Sequence, residues 1–181
     1  MTAVRTPPAR RLPAPVAALE QQPELMDAAC RDADPELFFP DLGANARQKR
    51  TAVPSAKEIC YACPAQTACL VLSLTRGELE GIWGGRTPRE RRTLMRDTVA
   101  LRRDVRHRID ALERGIRVPL RANDFLAVVH ELTLRGWDTE RLAHATGVGP
   151  DTVVRARARA SLAAAVRDAM EPRNRSEPAA A

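Results

Sequence analysis

Aromatic side chains are scarce in this sequence of 181 residues, which has three phenylalanines, two tryptophans and one tyrosine. At 3% of the chain they are too few to fill a large hydrophobic core. Small cores usually need a disulfide, a metal or a cluster to be stable. The length allows one or two small domains, so we expect a stapled domain rather than a large enzyme.

Long apolar runs are also missing, and no stretch is long and apolar enough to span a membrane. Near the N-terminus, Arg5, Arg10 and Arg11 are followed by prolines rather than by the apolar segment of a signal peptide. These absences predict a cytoplasmic protein with no membrane partner. That compartment keeps thiols reduced, which favours metal ligation over disulfides.

Cysteine is limited to four residues, and all four belong to one frame. Cys60, Cys63 and Cys69 form a C-x2-C-x5-C pattern, and Cys30 lies upstream. Four thiols without a spare indicate one four-coordinate site. Thiolates suit either zinc or an iron–sulfur cluster, and the spacing leaves both open, although structural zinc usually uses two C-x2-C pairs. With every position filled by cysteine, no metal position is open to a substrate.

Two helices are expected around these cysteines. Residues 41–54 look like a loop, and Ser55 has the capping-box spacing of a helix start. A second helix over 64–76 should end at Gly77. Its N-terminal N–H groups would lie beside Cys63 and favour an anionic cluster.

Three glycines surround a tryptophan further along, in Gly81-Ile82-Trp83-Gly84-Gly85. They predict a tight turn, whose indole is either a core plug or an interface anchor. Phe38 and Phe39 lie between two prolines, and we expect at least one of them in a small core while the other could face a partner.

In combination, these features resemble the WhiB-like family of bacterial transcription regulators, over about residues 24–95. The matching pieces, in the family's order, are Cys30-Arg31, Asp34-Pro35-Glu36-Leu37-Phe38-Phe39-Pro40, Ala56-Lys57, Cys60-x2-Cys63-Pro64, Cys69-Leu70, Gly81 to Gly85 and Arg89-Glu90-Arg91-Arg92. The C-x2-C element alone would be weak, but the joint match is specific.

The resemblance implies a [4Fe–4S] cluster held by Cys30, Cys60, Cys63 and Cys69, reactive toward nitric oxide and oxygen. It also implies docking on region 4 of the primary sigma factor. In that docking, Trp83 with Phe38 or Phe39 would be the anchor, on the turn formed with Gly81, Gly84 and Gly85. Family members often follow this turn with basic DNA-contacting residues, which makes Arg86, Arg89, Arg91 and Arg92 candidates.

The second half of the chain is basic. Residues 1–85 carry nine Lys and Arg against ten Asp and Glu, whereas residues 86–181 carry twenty arginines against thirteen acidic residues. This split indicates a nucleic-acid-binding half, although the arginines could also simply form solvent-exposed helix faces.

Residues 87–115 predict one long basic helix, whose apolar stripe packs within the chain or across a homodimer. The stripe comprises Leu94, Thr98, Leu101, Val105, Ile109 and Leu112.

A helix-turn-helix pattern follows a linker over 116–122. Asn123 is a candidate cap for the first helix of this unit. Ala143, Gly147 and Val153 have the spacing of a close crossing, a turn and a packing contact, although an ordinary helical hairpin would also fit. We expect Trp137 and Leu142 in its core. The recognition helix would start at Pro150 and present Asp151, Thr152, Val154, Arg155, Arg157 and Arg159 to DNA.

The sequence therefore predicts an all-α protein that is not an enzyme. We expect a disordered leader (1–23), a cluster-stapled WhiB-like domain (24–86), the long basic helix (87–115), a helix-turn-helix-like unit (123–170) and a disordered tail (171–181). The expected function is redox- or nitric-oxide-responsive transcription regulation with DNA and sigma factor as partners. The alternatives are a thiol–disulfide oxidoreductase formed without the cluster, and a structural zinc DNA-binding protein.

Overall fold

The structure, a computed structural model, describes residues 27–40 and 46–171, without the side chains of 46–50. The predicted leader and nearly all of the predicted tail lie outside these ranges. The described residues form two short 3₁₀ helices, Ala29–Asp32 and Pro35–Phe38, followed by seven α-helices. These are α1 (Ala46–Tyr61), α2 (Gln66–Arg76), α3 (Pro88–Ala100), α4 (Arg106–Glu113), α5 (Ala122–Leu134), α6 (Thr139–Thr146) and α7 (Pro150–Met170). The all-α prediction is confirmed.

The chain divides into two compact units, an N-terminal unit up to Pro88 and a C-terminal unit from Arg89. In the N-terminal unit both 3₁₀ helices pack against α1. One hydrophobic cluster there consists of the buried residues Phe38, Ala56, Cys60 and Ile82. Because Cys60 is a buried member of this cluster, the ligand frame and this part of the hydrophobic core overlap.

The predicted helix start near Ser55 was wrong, as was the predicted loop over 41–54 where it covers residues 46–54, because helix α1 begins at Ala46. Ser55 lies inside the helix, where its hydroxyl donates to the Thr51 carbonyl at 3.1 Å instead of capping an N-terminus. Pro54 also lies inside, although proline usually breaks a helix. The helix continues because its apolar face packs on the 3₁₀ segments, and tertiary packing outweighs the local stop signals.

Helix α2 ends as expected. Gly77 adopts a left-handed conformation with φ of 69°, and its N–H donates to the Leu74 carbonyl, 3.3 Å away. The helix begins at Gln66, two residues later than predicted. Its five consecutive buried residues, 70–74, fix it in the unit.

The prediction of one long helix over 87–115 was wrong, because the structure has two helices there, α3 and α4. The Asp104 carboxylate accepts hydrogen bonds from the Arg106 N–H at 3.1 Å and from its guanidinium, which stabilises a new helix start. These contacts hold the pKa of Asp104 well below its usual range. The six stripe residues are all buried, so the apolar face predicted from the sequence continues across the break between α3 and α4.

The remaining helices form a three-helix arrangement in which α7 contacts both α5 and α6. Trp137 and Leu142 lie in its core, at 5% and 0% exposure, as predicted. The Asp138 carboxylate caps α6 by accepting from the Arg141 N–H at 2.7 Å. Asn123 does not cap α5, which begins one residue earlier, after Arg121.

Asp124 occupies the first turn of α5 and is buried, with ion pairs to Arg103 and Arg108. The Arg103 hydrogen bond lowers the pKa of the Asp124 carboxyl against the opposing effect of burial. This ion-pair cluster links the α3–α4 connection and α4 to α5, and the apolar pattern of the sequence did not reveal it.

Candidate functional site

All four cysteines line one cavity of about 220 Å³ in the N-terminal unit. Cys30 lies in the first 3₁₀ helix, Cys60 near the end of α1, Cys63 in the connection to α2, and Cys69 in the first turn of α2. All four are free thiols. The structure therefore brings together the complete set of cysteines that the spacing pattern singled out.

Backbone N–H groups from two separate segments act on these sulfurs. The Ala29 N–H donates to Cys63 Sγ at 3.4 Å. Hydrogen bonds from the backbone of Gly85 and Gly84 lower the pKa values of Cys60 and Cys69 respectively. Such donors stabilise negative charge on sulfur.

Burial acts in the opposite direction and is the larger effect. It raises the pKa of Cys69 to about 11, and it also raises the pKa of Cys60. Both side chains are therefore protonated near neutral pH when nothing is bound, and binding a metal would release their protons. The donor set of the site consists of four sulfurs.

No group of three His, Cys, Asp or Glu residues in the described part of the chain has the arrangement to hold a single metal ion. The four sulfurs nevertheless surround one cavity.

The glycine-rich turn closes one side of this cavity. It is held at two places, because the Ile82 N–H donates to the Phe38 carbonyl at 2.7 Å and Trp83 forms an antiparallel bridge with Arg86. Gly84 has φ of 53°, and a Cβ placed on it would lie 2.6 Å from both the Gln66 carbonyl oxygen and Leu70 Cβ. The turn is thus pressed directly against the start of α2.

The predicted partner-binding residues separate into core and surface. Phe38 is buried at 7% exposure, whereas Phe39 is 38% exposed and lies on Gly81, whose Cβ would sit 2.6 Å from the Phe39 ring. Trp83 is half-buried, and its indole N–H donates to the Glu80 carbonyl at 3.0 Å. Leu79, which the sequence analysis did not single out, is 77% exposed nearby in the chain. Its position just before the glycine-rich turn was the available signal.

The four arginines after this turn differ in accessibility. Arg89 and Arg92 are exposed and Arg86 is half-buried. Arg91 is only 2% exposed, which argues against a role in contacting phosphate.

Three of the α7 candidates are arginines with different environments. Arg157 donates to Thr139 Oγ1 at 3.0 Å and is half-buried, whereas Arg159 forms a bidentate pair with Asp97 at 2.5 and 3.0 Å. Arg155 is exposed, and its guanidinium lies 3.4 Å from Thr152 Oγ1. Asp151, Thr152 and Val154 are also exposed.

None of the helices among the described residues is both long enough and apolar enough to cross a membrane.

Comparison with known proteins matches residues 25–94 to the family model described as "Transcription factor WhiB". The transcriptional regulator WhiB1 of Mycobacterium tuberculosis is 46% identical over 69 residues, which are 38% of this chain and 80% of that protein. The transcriptional regulator WhiB of Streptomyces coelicolor is 42% identical over 72 residues, 40% of this chain and 75% of that protein. The WhiB1 regulator of Bifidobacterium longum is 42% identical over 76 residues, 42% of this chain and 80% of that protein. The family match contains all four cysteines and the glycine-rich turn, and it ends within α3.

Proposed function

This chain belongs to the WhiB family of transcription factors, and from that premise we propose that it regulates transcription in response to redox state or nitric oxide. In this proposal Cys30, Cys60, Cys63 and Cys69 hold a [4Fe–4S] cluster. The surface around Trp83 docks on region 4 of the primary sigma factor, and the basic C-terminal half contacts promoter DNA.

The observation that carries the proposal is the single cavity lined by all four cysteines. A donor set of four soft sulfurs suits an iron–sulfur cluster, and the N–H groups directed at sulfur would stabilise its negative charge. When bound, such a cluster supplies one-electron redox chemistry and reactivity toward nitric oxide and oxygen.

The zinc alternative would use the same four sulfurs, because zinc also binds four thiolates, at about 2.3 Å each. The cysteine spacing favours the cluster, since structural zinc usually uses two C-x2-C pairs and this chain has one pair with two outlying cysteines.

The chain's own contacts connect the cysteines to the proposed docking surface. The segment that begins at Cys30 ends at Phe39, which lies on Gly81, and the neighbouring Phe38 carbonyl accepts the Ile82 N–H. Whatever orders Cys30 therefore also orders one face of the turn that carries Trp83. Because ligand binding and folding are coupled in small metal-bound domains, losing the ligand would release this face.

The proposed sigma-binding surface consists of Leu79, Phe39 and Trp83. Leu79 and Phe39 are exposed, and the half-buried Trp83 is held by its hydrogen bond to Glu80. Apolar and aromatic residues on a fixed turn are typical of interface anchors. The buried Phe38 contributes to the core beneath this surface rather than to the surface itself.

The test of the cluster is anaerobic purification followed by an absorption spectrum and by iron, sulfide and zinc analysis. We expect about four irons and four sulfides per chain, with a colour that air or nitric oxide bleaches. Each single Cys→Ser variant at the four positions should lose most of the iron. A colourless protein with one zinc per chain would contradict the proposal.

The sigma-factor contact is tested by Trp83→Ala in a copurification assay. We expect sigma factor to be lost while the cluster absorption remains. Leu134→Ala is the matched control, because Leu134 is a 70% exposed apolar residue of the C-terminal unit. Retention of sigma factor by Trp83→Ala would show that the turn is not the anchor.

The oxidoreductase alternative finds less support. A catalytic thiol needs a lowered pKa, whereas burial raises the pKa of Cys60. The relatives are named as transcriptional regulators. Insulin reduction by the metal-free protein no faster than by free dithiol would eliminate this alternative.

A further inference from the structure

We propose that the C-terminal unit carries a sequence-specific DNA-binding site, in which α7 enters the major groove and Arg155 determines base specificity. The proposal rests on the proposed function in that the chain acts at promoters. The binding itself requires only the C-terminal unit, which lies almost entirely beyond the residues that match the family.

Helices α6 and α7 have the geometry of a helix-turn-helix. They are joined by residues 147–149, and Gly147 turns the chain with φ of 74° while its N–H donates to the Ala143 carbonyl at 2.9 Å. Ala143 and Val153 are buried, at 8% and 0% exposure. With α5 packed on α7, this forms the three-helix support that such motifs use to present their second helix.

The first turns of α7 have one buried face and one exposed face. Val153 and Ala156 are buried, whereas Asp151, Val154 and Arg155 are exposed. Val154 is 54% exposed, so its methyl groups are accessible to a ligand. Exposed residues at the N-terminal end of the second helix are the ones that reach base edges in these motifs.

The chemistry of the exposed face suits base recognition. An arginine can donate two hydrogen bonds to guanine O6 and N7, and an apolar side chain can contact a thymine methyl group. An aspartate can accept from the cytosine amino group. Arg155, Val154 and Asp151 therefore provide three different base preferences within little more than one helical turn.

Two other arginines of this helix, Arg157 and Arg159, are positioning residues. Arg157 ties α7 to the start of α6 through Thr139, and Arg159 ties it to α3 through Asp97. Arg155 contacts only the Thr152 hydroxyl among the described residues, at 3.4 Å, the outer limit for a hydrogen bond. Arg155 is thus available to a ligand, while its two neighbours hold the helix in place.

Charge favours DNA over a protein as the occupant of this face. Residues 86–181 carry twenty arginines against thirteen acidic residues. A net positive unit gains affinity for any duplex through phosphate contacts, and the exposed α7 residues would add the sequence preference.

The experiment begins with selection of preferred duplexes from a randomised pool by the full-length protein. Dissociation constants for the selected duplex and for a random duplex are then measured at one fixed salt concentration. The variants are Arg155→Ala and the control Arg114→Ala, which removes the same charge from another exposed position of the C-terminal unit. Circular dichroism melting checks that both variants remain folded.

We expect Arg155→Ala to weaken binding to the selected duplex about 5- to 150-fold more than binding to the random duplex, the range for loss of one good bidentate base contact. Arg114→Ala should weaken both duplexes equally. Equal losses for Arg155→Ala, or a pool that yields no preferred sequence, would overturn the proposal, as would a failure to bind duplex DNA.

The same measurement on Cys60→Ser separates this proposal from the cluster proposal. We expect that variant to keep the sequence preference, because the motif and its core lie in the C-terminal unit. Loss of the preference in a folded Cys60→Ser protein would contradict an independent site. An absent cluster in the native protein, alongside intact sequence preference, would overturn only the cluster proposal.

Discussion

Replacing Gly84 and, for comparison, Gly77 with alanine would separate two reasons why a position requires glycine, namely a left-handed backbone conformation and a lack of space for a Cβ. Gly84 has both constraints, since its φ is 53° and a Cβ would lie 2.6 Å from the Gln66 carbonyl oxygen. Gly77 has only the first, since its φ is 69° and a Cβ there would meet nothing within 4 Å. Both lie in the N-terminal unit, so Gly77→Ala is a matched control.

The expected magnitudes follow from these two contributions. A non-glycine residue in the left-handed region costs roughly 1–2 kcal/mol, and both variants should lose this much stability. Gly84→Ala must also displace the backbone of α2 or open the turn, and overpacking of this kind costs a further 1–3 kcal/mol or so. The free energy of unfolding of the N-terminal unit should therefore fall by about 2–5 kcal/mol in Gly84→Ala.

The assay uses the fact that the chain has only two tryptophans, one in each unit. In a Trp137→Phe background, shared by all variants, Trp83 fluorescence during urea titration reports the N-terminal unit. Iron content after anaerobic purification provides a second readout, because Gly84 lines the cysteine cavity whereas Gly77 does not. Equal destabilisation by the two alanine variants would refute the contact argument and leave only the backbone cost.

Three further results are expected. Arg159→Ala should destabilise the C-terminal unit by about 1–3 kcal/mol in urea unfolding, because it leaves the Asp97 carboxylate, 9% exposed, without its charged partner. Asp97→Ala should cost less, since the Arg159 side chain is 57% exposed and water can solvate it, and the reverse order would contradict this assignment. The pKa of Asp124 is lowered in the folded protein, so its contribution is present above the unfolded value of about 3.9 and is lost as pH falls through the folded value. The melting-temperature advantage of the native protein over Asp124→Asn should therefore shrink below about pH 4, and an advantage that is constant with pH would contradict the ion-pair assignment.

The sequence by itself determined the helical class, the cysteine set and several helix ends. Gly77 ends α2, Pro88 begins α3 and Gly147 makes the turn before α7, because each effect arises from the backbone conformation of that residue and its close neighbours. The four cysteines could be identified as one set because the chain contains no others. The buried Trp137 and Leu142 followed from the apolar pattern.

Only the tertiary structure decided where local signals are overruled. Helix α1 runs past Pro54 because its apolar face packs against segments nearer the N-terminus, and the basic stretch breaks at Asp104 although its apolar period continues. The different environments of Arg155, Arg157 and Arg159 likewise depend on Asp97 and Thr139, which are distant in sequence from Arg159 and Arg157 respectively. Local propensities are small compared with the packing and ion-pair energies that such distant residues contribute, so the sequence pattern alone could not assign these roles.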